Sequence, residues 1–134
     1  MSHVTSSTDR RGRDDRGQAA VELALVLPLL VMLGLALCQI ALIVRDQVLV
    51  IHAAREGGRA AAVDPDADAA RRAASASSGT LVPEHLDVEV SRRAGPGSRV
   101  DVTVRYRSPT DLPLIGPLVG DVALSGSASM RVEV

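Results

Sequence analysis

From Leu23 to Cys38 the chain has no charged side chain and no side-chain amide. Extended to Gly17–Val44, the run is interrupted after its opening Gln18 only by Glu22 and Gln39. A helix of that length can cross the roughly 30 Å hydrocarbon core of a bilayer. A helix at the surface of a globule would keep one polar face, and this run has none. It is read as a transmembrane helix over residues 18–44.

Beyond Val44 the pattern becomes helical with polar positions. Arg45–Val63 has no proline and is rich in alanine, with Val48, Ile51, Ala54, Gly58 and Ala61 spaced as one stripe. Arg45, His52, Arg55, Glu56 and Arg59 fall mostly off that stripe. The pair Gly57–Gly58 weakens a helix by about 1 kcal/mol per residue and permits a local bend. Small residues here also let another backbone come close. The reading is one helix of roughly 45 residues, lipid-embedded first and domain-packed afterwards. Asp64-Pro65 ends it, because the residue before proline avoids helical dihedrals. The same pair is expected to start a second helix, with Asp64 as N-cap and Pro65 at the first position. That helix runs through Ala69–Ala76 and stops near Gly79.

The period then changes to alternation. Leu86, Val88 and Val90 alternate with Asp87, Glu89 and Ser91, and Val100, Val102, Val104 and Tyr106 with Asp101, Thr103, Arg105 and Arg107. Ala94–Ser98 between them reads as a turn, making a hairpin. A third alternating run covers Val122–Val134, with a possible break at Gly126. Ser108–Gly120 holds three prolines, which exclude a central strand, and its Leu112, Leu114, Ile115, Leu118 and Val119 need a surface to bury against. The expected fold is a membrane-anchored α+β chain. A long N-terminal helix extends into a small domain with a short helix and a three-stranded antiparallel meander, one face covered by the helix. Without that cover so small a sheet is marginal.

Composition narrows the function. Removing the membrane run and the charged head leaves about 90 residues, enough for one small domain. Aromatic content is 1% and the formal net charge is -1, which disfavours base stacking and nucleic-acid binding. The single cysteine, Cys38, excludes an intramolecular disulfide. Met1–Arg16 is polar and expected to be disordered. Arg10, Arg11, Arg13 and Arg16 precede the apolar run; Arg45, Arg55 and Arg59 follow it. The positive-inside rule therefore favours a cytoplasmic N-terminus.

The sharpest motif is Gly17-Gln18-Ala19-Ala20-Val21-Glu22-Leu23. A glutamate in a membrane segment is costly at the centre and cheaper near the interface. Its plain reading is an interfacial side chain that reaches water and faces the positive end of the helix dipole. The basic head, Gly17 and Glu22 also resemble the cleavage site of type IV prepilins of the Flp and Tad class. RGQAAVELALVLPLL, AAREGGRAAAV and SGSASMRVEV together look like the TadE-like family, minor pilins or pseudopilins of the tight-adherence pilus system. Leu23 departs from the pattern, since an aromatic often follows the glutamate, which loosens the likeness to major pilins more than to minor ones.

The resemblance implies that a prepilin peptidase cuts between Gly17 and Gln18, so that residues 1–17 are a cytoplasmic leader. Glu22 would then pair with the N-terminal amine of a neighbouring subunit, acting as a register device. The implied partners are membrane lipid, other pilin and pseudopilin subunits, the peptidase and the pilus assembly platform. The implied place is the cell membrane, with residues 45–63 as exterior helix and 64–134 as exterior domain. No catalysis and no cofactor are implied. Pro28 is tolerated in a membrane helix and would kink or soften it. In pilin-like proteins such a kink helps subunits stack; an inert proline reads equally well.

Rival motifs carry less. Leu35-Ala36-Leu37-Cys38 resembles a lipobox, but Leu37 is large and the apolar run continues past the cysteine. Asp64-Pro65-Asp66-Ala67-Asp68 opens like a calcium loop, yet Ala69 and Ser75 stand where glycine and glutamate are needed, and helix capping explains it better. His3, His52 and His85 have no ligand spacing. Ser75, Ser77 and Ser78 lack a nearby histidine or nucleophile elbow, and the GPGS turn is no phosphate loop. Two further functions stay open: an uncleaved, signal-anchored adaptor, and an exported enzyme, which would need a cleft of convergent polar groups. The expectation is that there is none.

Overall fold

The computed structural model describes residues 11–93, 98–110 and 120–132, with side chains from Gly17 onward. Helix α1 is Arg11–Val63, 53 residues with Pro28 inside it. Helix α2 is Ala67–Ala76, and a short 3-10 turn, Pro83–His85, leads into the sheet. Strands β1 (Leu86–Arg93), β2 (Arg99–Ser108) and β3 (Val122–Arg131) lie in that order, each antiparallel to its neighbour. The α+β class, the short helix and the meander follow the reading from sequence. Helix α1 starts upstream of the expected boundary, since Arg11–Arg16 is already helical. Residues 1–10, the turn at 94–97 and the packing of Leu112–Val119 lie outside the described residues.

The chain divides into two compact units, residues 1–37 and 38–134. In the first, the described part is α1 from Arg11 to Leu37, whose apolar stretch begins at Gly17. Most of the large side chains of that stretch stay exposed, Leu25 by 76% and Leu29 by 69%. It is the one helix among the described residues long and apolar enough to cross a membrane, with almost none of its apolar window buried by protein.

The second unit has a two-layer build, with α1 from Cys38 onward and α2 on one face of the sheet. Val100, Val102, Val104 and Tyr106 of the central strand β2 are buried against that helix layer, with Leu124 from β3 and Leu81 from the loop. Alternation in β2 sends these four inward, as the period of two requires. The register pairs Val104 with Val88 on one side and with Gly126 on the other.

The contact stripe on α1 differs from the one read from sequence. Val48 is exposed, Ile51 only half-buried, and the buried residues are Val50, Ala53, Ala54, Gly57, Gly58, Ala61 and Ala62. In an alanine-rich helix hydrophobicity barely separates the faces, so the smallest side chains choose the face instead. A Cβ on Gly57 would lie 3.1 Å from the Ala74 Cβ and 3.2 Å from Val102 Cγ1. A Cβ on Gly126 would lie 3.1 Å from the Ile51 Cα. The helix and β3 thus meet nearly backbone to backbone. Helix α1 runs unbroken through Gly57–Gly58, and β3 runs unbroken through Gly126. These glycines serve close approach rather than a bend or a strand break.

The start of α2 also differs. Its N-cap is Asp66, whose side chain accepts from the Asp68 N–H at 3.0 Å, while Asp64 Oδ1 accepts from the Asp66 N–H at 2.9 Å. Two consecutive Asp-to-backbone bonds make a turn that puts Pro65 before the helix instead of inside it. The carboxylates of the calcium-like stretch are thereby occupied in capping, and Asp68 also pairs with Arg71 at 2.7 Å. Past α2, Gly79 adopts a left-handed φ of 64°, and a Cβ there would lie 3.3 Å from Leu49 Cδ2, so a glycine lets the chain turn back along α1.

Candidate assembly site

Gly17, Gln18 and Glu22 all lie on α1, and Val21 and Leu25 share their face. Gln18 and Glu22 are one helical turn apart, which places their side chains as neighbours. All three sequence-chosen residues are exposed, and nothing lies within 4 Å of the place a Cβ would take on Gly17. Among the described residues Glu22 has no ion-pair partner. Apart from Gln18, its surroundings on the helix are Ala, Val and Leu, so in lipid its charge would have no local opposite charge to answer it. The Gly17–Gln18 peptide bond is inside regular helix, with its backbone groups in the hydrogen-bond ladder.

A second polar set on α1 went unread in the sequence. Gln39 is buried to 5% exposure and donates to Thr110 Oγ1 at 3.4 Å. Thr110 Oγ1 donates in turn to the Gly120 carbonyl at 2.6 Å. Ser108 Oγ donates to Asp46 Oδ2 at 2.7 Å, and Gln47 Nε2 donates to the Ser125 carbonyl at 2.9 Å. Arg45 donates to Thr80 Oγ1. These bonds tie one end of the sheet to α1. The signal for them was the pair of polar residues, Gln39 and Asp46, seven apart on one helix face; what they would meet was not legible.

At that same end of the sheet an open groove is lined by Glu84, His85, Asp87, Tyr106, Arg107 and Asp121, among others. The His85 and Tyr106 rings are 6.3 Å apart, and Arg105 reaches Glu89 at 3.1 Å on the exposed sheet face. Ion pairs this exposed contribute little. Among the described residues no group of three or more His, Cys, Asp or Glu is placed to hold a metal ion.

Compared with known families, residues 17–59 match the family model described as TadE-like protein. The match starts at Gly17 and ends beside the close-packed glycine pair of α1, and the sheet lies outside it. No curated protein and no solved structure matched the chain.

Proposed function

We propose, from the premise that this chain is TadE-like over residues 17–59, that it is a minor pilin-like subunit of a tight-adherence pilus, acting by association rather than catalysis. The observation that carries this is the exposed, all-round apolar stretch of α1 with one acid near its start. A surface of that kind is stable in lipid or against equivalent helices, not in water. Gly17–Gln18 is the bond a prepilin peptidase would cut. The freed Gln18 amine of one subunit and Glu22 of the next would then form the opposite-charge pair that sets register. Leaving either charge alone in lipid costs a few kcal/mol, which penalises wrong registers. In this reading the N-terminus is cytoplasmic and the sheet domain exterior.

The test is the intact mass and N-terminal sequence of the membrane-fraction protein in cells that hold the peptidase. A chain beginning at Gln18 is expected, with Gly17→Ala accumulating precursor. Glu22→Ala should be cut normally and recovered less in sheared pili. An uncut chain in such cells would overturn the assignment. The alternative, an uncleaved signal-anchored adaptor, is favoured by one observation: α1 is regular helix across Gly17–Gln18, so that turn must open before any peptidase reaches the bond.

A further inference from the structure

We propose that the end of the sheet domain that carries Ser108–Thr110 and Gly120–Val122 is seated in the headgroup layer of the bilayer, so that lipid is a second binding partner of the domain itself. The inference rests on the membrane-anchored reading of α1 and goes beyond it.

The level of this end along α1 fixes its surroundings. Gln39 is six residues before Arg45, the first charge after the apolar run. At about 1.5 Å per residue it lies roughly 9 Å to the apolar side of that charge. Leu23–Val44 as a helix spans about 33 Å, close to the hydrocarbon thickness. Gln39 therefore falls at or below the lipid boundary, and Thr110 and Gly120 are bonded at its level.

Gln39 carries the one side-chain amide between Leu23 and Val44. Facing lipid, that amide would lose hydrogen bonds it has in water, at a cost of a few kcal/mol. The domain covers it, leaving 5% exposure, and supplies Thr110 as partner. A domain held clear of the membrane would have no reason to reach this far down the helix. Ile43, one turn on, also packs against the domain core.

Chain length and composition point the same way. The stretch between Thr110 and Gly120 in the sequence, DLPLIGPLV, has one charge and five large apolar side chains, and its described flanks, Thr110 and Gly120, are bonded to each other at this level. Above it, Arg45 and Asp46 hold Thr80 and Ser108. Polar and charged groups at that height suit a headgroup layer, which solvates both.

The opposite end of the sheet is the internal control. There Met130 packs near Gly58, nineteen residues past Gln39, or about 28 Å further along α1.

The experiment places nitroxide labels on the full chain in phosphatidylcholine vesicles, on a Cys38→Ser background. Asp121→Cys and Ala123→Cys report the proposed lipid end, Ser129→Cys the far end, and Leu29→Cys the span; the first three replace exposed residues. Accessibility to oxygen and to a water-soluble nickel chelate is compared at each. The oxygen-to-nickel ratio at Asp121→Cys should exceed that at Ser129→Cys at least threefold, with Ala123→Cys between them. Equal, water-like ratios at Asp121→Cys, Ala123→Cys and Ser129→Cys, with Leu29→Cys in lipid, would overturn the proposal and leave the anchor intact. A water-like Leu29→Cys would sink both.

Discussion

The two halves of α1 share one backbone and almost no other property. Gly17–Leu37 is built from leucine and valine, and Leu25, Leu29 and Leu33 are mostly exposed. In Cys38–Val63 the buried side chains are smaller, with Ala53, Ala54 and Ala61 at 0% exposure. The greasier half is thus the one the other described residues leave uncovered, and the half with the less apolar surface makes the core. Hydrophobicity alone states that a side chain prefers to leave water. Side-chain size decides where it can go. Leucine all round a helix keeps a sheet at a distance but suits fluid lipid. Alanine and glycine give up transfer energy per residue and gain near-contact of backbones. The loss is recovered from the partner, since Val100, Val102 and Val104 fill the space the small residues leave.

That contrast breaks most sharply with a charge in the leucine half. Leu30→Arg should cost about 3 kcal/mol of membrane insertion, the penalty of arginine near a helix centre. The same chain solubilised in detergent should keep its β-sheet signature by circular dichroism. Fractionation of membranes with each variant checks it: equal membrane recovery of Leu30→Arg and the parent would refute the assignment of this half to lipid.

Next in size is Gly126→Val in the domain. The isopropyl group would have to enter where Ile51 and Val50 backbone atoms already stand at 3.1–3.2 Å. Overpacking of this kind costs about 2 kcal/mol, with more for backbone displacement. Thermal unfolding in micelles should show a clearly lowered midpoint. An unshifted midpoint would mean that helix and β3 are not pressed together as described.

A smaller change sharpens the boundary after α1. Asp66→Ala removes the N-cap of α2 and should destabilise the domain by about 1 kcal/mol. Asp64→Ala should cost less, because it removes a turn bond and not the cap. If Asp64→Ala proves the more damaging, the cap sits two residues earlier than the structure has it. The smallest effect belongs to Gly34→Val in the leucine half. Nothing lies within 4 Å of a Cβ there, so the domain's unfolding midpoint should move by no more than about 0.5 kcal/mol equivalent.

Much of the fold was legible because the signals were periodic. Sixteen residues without a charged side chain or side-chain amide fix a helix that is apolar all round. Strict alternation at Leu86–Val90 and Val100–Tyr106 fixes two strands and which of their faces is buried. Gly17, Gln18 and Glu22 were singled out by the likeness of one stretch to a prepilin cleavage site, which needs no knowledge of the rest of the chain. The polar bonds of Gln39, Asp46 and Gln47 join residues 62 to 78 positions apart. No local pattern carries the partner of such a bond.

The sequence by itself determined the class of surface each segment presents: apolar all round, alternating, or capped and turned. Those choices follow from backbone periods of 3.6 and 2 and from the charge of each side chain. Only the tertiary structure decided which side of an alanine-rich helix faces the sheet, because that side is chosen by the steric fit of Gly57, Gly58 and Gly126. It also decided that Asp66, not Asp64, caps α2, since the Asp64 carboxylate is drawn into the turn before it and its carbonyl is held by Arg92 from β1 at 2.8 Å. Steric fit and long-range hydrogen bonds depend on where two distant segments meet, and that meeting is a property of the folded chain.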